Sequence, residues 1–157
     1  MDILLSGSVA YDYLMTFPGY FHEQILPERL KNISLSFLVD SMTRQRGGTA
    51  PNIAYTLALL GEKPRLMASV GEDFGDYRAW LEAQGVDTEW AKVITGKFTA
   101  SFFATTDKVN AQIASFYPGA MTHAAEISLR DVKNRPDLVV ISPDDPTAMK
   151  NRAAECR

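Results

Sequence analysis

Two adjacent glycines, Gly47 and Gly48, stand directly before a segment with the residue pattern of a helix. Without Cβ atoms the backbone there can pass close to a ligand, and a helix start presents free N–H groups and a partial positive charge. The segment is therefore a candidate binding site for a polar ligand. A tight turn that feeds a capped helix is the alternative interpretation, because a lone glycine motif is not specific.

Two acidic residues, Asp12 and Asp144, follow the first and the last predicted buried strands of the chain. In an open α/β sheet both would lie near the carboxyl ends of strands, where ligands bind. Two carboxylates in that place could bind the hydroxyl groups of a sugar. Taken singly, each is more typical of a loop or helix-cap acid than of a ligand-binding one.

Metal and thiol chemistry have little support in the sequence. His22 and His123 have no second histidine and no cysteine at the spacing of metal ligands, so we predict no metal site. Cys156 is the only cysteine, which excludes an internal disulfide and a site built from several thiolates. The aromatic residues around Phe17 and in the 98–117 region are more typical of a core or an interface than of a ligand cage.

The composition is that of a globular domain. The chain has 157 residues, 46% hydrophobic residues and a net charge of −3, which excludes intrinsic disorder and argues against a nucleic-acid partner because no basic cluster is present. It has no apolar stretch of the length that spans a membrane and no basic, apolar leader at its start. We expect a cytoplasmic protein with a small-molecule partner and no membrane contact.

The candidate residues must be positioned by alternating strands and helices. Short apolar runs predict buried strands at 2–7, 65–70 and 137–142. Helical spacing predicts a helix from Thr49, as N-cap, to Gly61, a second one that ends at Gly85, and a third that starts near Thr147. This order is typical of a parallel sheet covered by helices.

Other segments do not fit a central sheet. Residues 33–39 alternate between apolar and polar types and predict a strand with one face in water, and 98–104 with 112–117 predict a hairpin. Residues 16–31 have an irregular pattern with Pro18 and Pro27, so we assign them to a loop.

Five motifs in order along the chain give a resemblance to the N-terminal half of the PfkB superfamily, which includes ribokinase and adenosine kinase. They are Gly7-Ser8-Val9-Ala10-Tyr11-Asp12, the 47–61 segment, 70–75 with Gly85-Val86-Asp87, the hairpin from Phe98, and Ser142-Pro143-Asp144-Asp145-Pro146. A dinucleotide-binding Rossmann domain is a weak alternative because no Gly-x-Gly-x-x-Gly follows the first strand.

The resemblance implies a ribokinase-like fold: a doubly wound, mostly parallel sheet with a small β lid. Residues 1–157 would be the N-terminal part of such a kinase domain, truncated, with lid segments at about 13–46 and 98–118. Homodimers through the lid occur in the family, so a homodimer is a possible assembly here.

The resemblance also implies roles for individual residues. Asp12 would bind sugar hydroxyls, Gly47 and Gly48 would allow a close backbone approach, and Asn52 would bind a further hydroxyl. Asp144 is a weaker transfer from the family. Ser8 matches ribokinase-like members whereas Thr49 is closer to adenosine kinases, so the acceptor stays open between a sugar and a nucleoside.

Members of the family use ATP and Mg²⁺ and transfer the γ-phosphoryl group to a primary hydroxyl. The family places an Asn-x-x-Glu motif for Mg²⁺ and a Gly-Ala-Gly-Asp motif with the catalytic base in its C-terminal half, and neither occurs in this chain. We therefore expect the base and the ATP-binding half beyond residue 157, and no activity of the chain alone. The alternative is a non-catalytic module that binds nucleosides or polyols and associates through its lid strands.

Overall fold

The computed structural model describes residues 1–157, apart from the side chain of Arg29. The chain divides into two compact units. The first contains Met1–Tyr11, Arg46–Ser101 and Tyr117–Arg157, and the second contains Asp12–Gln45 and Phe102–Phe116.

The first unit is built on a four-stranded sheet. Its strands, in spatial order, are β5 (Ala91–Val93), β4 (Arg65–Val70), β1 (Ile3–Ser6) and β8 (Leu138–Ile141). All three pairings are parallel, with Leu5 opposite Leu66 on one side and Val140 on the other. The central strands β1 and β4 are buried because both faces are covered, as their continuous apolar runs predict. The predicted parallel α/β architecture is confirmed.

Three helices belong to this unit: α2 (Thr49–Leu59), α3 (Gly75–Ala83) and α4 (Pro146–Glu155). Gly61 and Gly85 follow α2 and α3 with φ of 90° each, the left-handed conformation that suits glycine after a helix. The Asp145 side chain accepts hydrogen bonds from the backbone N–H groups of Thr147 and Ala148 and caps α4. Short 3-10 helices cover Glu72–Phe74, Gly119–Glu126 and Leu129–Asp131.

The second unit carries most of another four-stranded sheet, in the order β3 (Ser41–Gly47), β2 (Ala10–Thr16), β6 (Ala100–Thr106) and β7 (Gln112–Tyr117). Strands β6 and β7 are neighbours, which confirms the predicted hairpin segments. The Asp107 carboxylate in their turn accepts hydrogen bonds from the backbone N–H groups of Phe21, Val109 and Ala111. It thereby fastens the turn to the start of the short helix α1 (Phe21–Gln24).

Two predictions in this unit are wrong. Residues 33–39 form no strand, and β3 lies in the polar segment Ser41–Gly47 instead. Phe37 packs against the rings of Phe17 and Phe21, whereas Leu38 is 87% exposed, so the apolar residues of the segment do not form one buried sheet face. The predicted loop 16–31 contains α1 and the first part of a 3-10 helix, Pro27–Asn32.

Among the described residues, no helix combines the length and the apolar character needed to cross a bilayer.

Candidate functional site

The turn before α2 is shaped by Gly48. Its φ of 93° lies in the region that favours glycine, and a Cβ placed on it would come within 2.5 Å of the Ser8 carbonyl oxygen and 2.7 Å of the Val9 Cα. The missing side chain therefore serves a close approach between two backbone segments of the protein. The sequence had left two interpretations of this glycine open, close approach to a ligand and a tight turn before a capped helix, and its approach to Ser8 is a contact of the turn.

The start of α2 is held by Ser8. The N–H of Thr49 donates to the Ser8 side-chain oxygen at 3.3 Å, and the N–H of Ala50 donates to the Ser8 carbonyl at 3.4 Å. The predicted N-cap role of Thr49 is wrong, since Gly48 occupies that position and Thr49 is the first helical residue. The acceptors come instead from the connection between β1 and β2, which local sequence signals cannot show because Ser8 is 41 residues distant.

Asn52 lies on the exposed face of α2, one turn into the helix. It lines a shallow depression of about 510 Å³ together with Gly48, Thr49, Ile53, Thr56 and Leu57. Its backbone carbonyl accepts a hydrogen bond from the Thr56 hydroxyl. The side-chain amide of Asn52 makes no hydrogen bond to another described residue, so a ligand in the depression can use both its donor and its acceptor.

Gly47 is buried and precedes this turn. Its carbonyl oxygen accepts a hydrogen bond of 3.1 Å from the hydroxyl of Tyr77 in α3. Tyr77 lies in the helix predicted to end at Gly85, and it is not among the predicted site residues. Its helical spacing gave no sign of the hydroxyl's partner, which is 30 residues away in the chain.

Asp12 is the third residue of β2 and belongs to the second unit. Its side chain is partly buried, and burial raises the pKa of the carboxyl group. A carboxylate in such a place has lost part of its hydration. It therefore gains more from a hydroxyl donor than an exposed acid does.

Asp144 lies just after β8 with its side chain 97% buried, and it forms an ion pair with Arg152 of α4 at 3.8 Å. Burial raises the pKa of Asp144, against the opposing effects of the Asp145 N–H and the Arg152 charge. Burial likewise lowers the pKa of Arg152, against the pull of Asp144. Arg152 also donates to the Ala124 carbonyl at 2.8 Å. One Asp144 oxygen and two Arg152 nitrogens have no hydrogen-bond partner among the described residues.

Within the first unit the predicted residues gather around the carboxyl ends of β1 and β8. The N–H of Ser8 donates to the Pro143 carbonyl at 2.9 Å, so the connection that holds the α2 turn also contacts the segment leading to Asp144. The Gly47–Gly48 turn and the segment that leads to Asp144 thus adjoin one connection, as the rule for open α/β sheets predicts. Another depression, of about 470 Å³, is lined by β8 and the 129–137 region and contains none of the predicted site residues.

In the part of the chain that the structure describes, no group of three or more His, Cys, Asp or Glu side chains is arranged to hold a metal ion.

The pfkB family of carbohydrate kinases matches residues 8–157. A nucleoside kinase of Methanothermobacter thermautotrophicus is 33% identical over 76% of this chain and 36% of its own length.

Two solved nucleoside kinases share the fold. The enzyme of Burkholderia thailandensis in complex with inosine is 38% identical, with a TM-score of 0.77 over 98% of this chain and 48% of that one. The enzyme of Methanocaldococcus jannaschii, described as an archaeal member of the ribokinase family, is 25% identical, with a TM-score of 0.82 over 99% of this chain and 49% of that one. The chain therefore spans half or less of the length of these relatives.

Proposed function

Because the chain belongs to the pfkB family of carbohydrate kinases, we propose that it carries the nucleoside-binding part of a kinase. The intact enzyme would transfer the γ-phosphoryl group of ATP to a primary hydroxyl of the nucleoside. One observation carries the choice of a nucleoside over a free sugar. It is the 38% identity, over 98% of the chain, to a nucleoside kinase whose structure holds inosine.

The proposed roles follow from the chemistry of each side chain. The ionised carboxylate of Asp12 accepts hydrogen bonds from ribose hydroxyls, and the Asn52 amide binds a further hydroxyl from the depression beside Gly48. The Gly47–Gly48 turn and the start of α2 offer backbone N–H groups to the ligand. Asp144 is the second acid of the proposed site. Its carboxylate faces Arg152, so contact with a hydroxyl requires it to turn away from that partner.

ATP is the proposed phosphoryl donor, which is supported by the structure of the Burkholderia enzyme in complex with ADP-inosine. Mg²⁺, when bound, neutralises charge that develops on the transferred group. The Asn-x-x-Glu and Gly-Ala-Gly-Asp motifs do not occur in the chain, so we assign it no metal ligand and no catalytic base. Its own contribution is to bind and orient the acceptor, a large share of catalysis in phosphoryl transfer.

The test is a phosphotransfer assay with Mg·ATP and a panel of inosine, adenosine, cytidine, ribose and fructose. We expect the 157-residue chain alone to form no product with any acceptor. We expect the reading frame after Arg157 to encode a Gly-Ala-Gly-Asp segment, and the protein that includes it to prefer nucleosides. A preference for free sugars would contradict the nucleoside assignment, and turnover by the chain alone would contradict the assignment of the base to another segment.

A non-catalytic module that binds nucleosides or polyols is the second candidate. A stop codon directly after Arg157, together with inosine binding by the folded chain, would support it.

Self-association through the second unit is proposed with either function. It is supported by exposed apolar side chains on its outer strands, namely Met42 on β3 and Ile113 and Phe116 on β7. A monomer in sedimentation at high protein concentration would contradict it.

A further inference from the structure

The chain passes between its two units at four places, namely Tyr11–Asp12, Gln45–Arg46, Ser101–Phe102 and Phe116–Tyr117. The first crossing lies at Asp12 and the second directly before Gly47. The third lies on β6, the neighbour of the strand β2 that carries Asp12. In the first unit, residues at or close to the first three crossings contact one short region, the 3-10 helix Glu72–Phe74 and the first turn of α3.

Tyr77 contacts residues of the first unit that adjoin two of the crossings. Its hydroxyl donates to the Gly47 carbonyl at 3.1 Å, and the Arg46 guanidinium lies over its ring at 5.9 Å and over the Trp80 ring at 4.9 Å. The ring also packs against Tyr11, with 5.7 Å between centroids. One fully buried side chain therefore touches the residue before Asp12 and the residues that open the glycine turn.

Asp73 joins the third crossing to the first. Its backbone carbonyl accepts a hydrogen bond from the Tyr11 hydroxyl at 3.1 Å. Its carboxylate accepts two hydrogen bonds of 2.7 Å from the N–H and the hydroxyl of Thr99, two residues before the crossing at Ser101. The Thr99 hydroxyl oxygen in turn accepts from the Gly71 N–H at 2.9 Å. The two bonds to the Asp73 carboxylate are partly buried and charge-assisted, and such bonds are stronger than neutral ones.

We propose that Tyr77 and Asp73 are positioning residues for nucleoside binding. Neither is assigned a contact with the ligand. Tyr77 fixes the carbonyl of Gly47 and, through Tyr11, the start of the strand that carries Asp12, and Asp73 fixes Tyr11 and Thr99. This inference rests on the proposed function, because Tyr77 and Asp73 influence nucleoside binding only if Gly47 and Asp12 belong to the binding site. A site whose residues are already fixed in the binding geometry has a higher affinity than a flexible one, because those residues lose less conformational entropy when the ligand binds.

The test compares Tyr77→Phe with two matched controls in the complete 157-residue chain. Tyr77→Phe removes the hydroxyl that bonds Gly47 and keeps the ring. Tyr55→Phe removes a hydroxyl from the same aromatic group, where Tyr55 packs on Trp80 without a hydrogen bond from its hydroxyl to any described residue. Val86→Ala removes buried volume outside the contacts described for the turn and serves as a control for loss of stability alone.

Two readouts are measured. The first is amide hydrogen exchange at Thr49 and Ala50, the N–H groups held by Ser8 directly after the glycine turn. The second is the Kd for inosine, measured well below the Tm of every variant. For Tyr77→Phe we expect exchange at both amides to rise about fivefold and Kd to rise about five- to tenfold, the ratio that one lost hydrogen bond gives.

Both controls should keep the Kd and the exchange rates of the unmodified chain. Unchanged exchange in Tyr77→Phe, or an equal change in Val86→Ala, would overturn the inference, as would faster exchange with an unchanged Kd. If the unmodified chain does not bind inosine, the proposed function fails for this chain and the positioning role falls with it. The exchange comparison then decides separately whether Tyr77 holds the turn.

Discussion

Gly48 lies against the backbone of Ser8 so closely that a Cβ on Gly48 would stand 2.5 Å from the Ser8 carbonyl oxygen. The same serine accepts hydrogen bonds from the N–H groups of Thr49 and Ala50. The backbone of the connection after β1 therefore packs directly against the start of α2. The glycine is required there for two reasons, its φ of 93° and the space it leaves for Ser8.

Replacement of Gly48 by alanine should destabilise the protein strongly. We expect a loss of about 3 kcal/mol or more in the free energy of unfolding, because backbone strain adds to a clash that neither backbone can relieve. Gly61→Ala is the matched control, with φ of 90° and no atom within 4 Å of the added Cβ. It should cost about 1 kcal/mol. Urea unfolding measures both, and equal losses would show that Ser8 imposes no additional constraint.

Much of this arrangement could be predicted from the sequence, because the signals for it lie within a few residues of each element. The apolar runs of β1, β4 and β8, and the glycines after α2 and α3, each express their structure within a few residues. The parallel sheet, and the approach of the Gly47–Gly48 turn and the segment before Asp144 to the strand ends, followed from those elements.

What could not be predicted depends on partners distant in the chain. Ser8 replaces Thr49 as the source of the helix cap across 41 residues, and Tyr77 reaches Gly47 across 30. The strand expected at 33–39 failed because alternation shows a face but not whether a neighbouring strand exists to pair with it. The polar strand β3 was missed for the same reason: it forms because it pairs with β2, and its own residues have no apolar pattern.

The ion pair of Asp144 and Arg152 predicts a large effect when one partner is removed. Arg152→Met should reduce the free energy of unfolding by about 3 to 5 kcal/mol, because it leaves a buried carboxylate without its counter-charge. The double variant Asp144→Asn with Arg152→Met removes both charges and should recover part of that loss. Chemical denaturation of the three proteins measures this. A double variant no more stable than Arg152→Met would contradict the ion-pair explanation.

Asp144 also predicts a pH dependence of stability. Burial raises its pKa in the folded protein above 3.8, so the folded state binds its proton more tightly than the unfolded state. Stability from this group is present below pH 3.8 and is lost as the pH rises through the folded pKa. The stability of the unmodified chain minus that of Asp144→Asn should therefore fall with rising pH in this window and then level off. A difference that rises with pH there would contradict the buried position of the carboxylate.

Asp107 predicts the opposite sign in the second unit. Burial acts to raise its pKa, but three backbone N–H donors and the nearby His22 outweigh it, so the folded pKa lies below 3.8. Its contribution is present above pH 3.8 and is lost as the pH falls through the folded pKa.

Asp107→Ala should accordingly speed amide exchange at Phe21, Val109 and Ala111, the three donors that lose their acceptor. Asp40→Ala, an exposed acid of the same unit, is the matched control and should leave these amides unchanged. Equal exchange rates in the two variants at neutral pH would show that the carboxylate does not fasten the turn to α1.

The central claim is that this chain binds the ribose hydroxyls of a nucleoside through Asp12 and Asn52. Titration calorimetry with inosine tests it on the unmodified chain, on Asp12→Asn and on Asn52→Ala, with the exposed Asp40→Asn and Asn151→Ala as controls. We predict saturable binding by the unmodified chain and both controls, an affinity at least about tenfold weaker in the two site variants, and no displacement of inosine by hypoxanthine, which lacks the ribose. Equal affinity in all five proteins, or no binding by the unmodified chain, would contradict the claim.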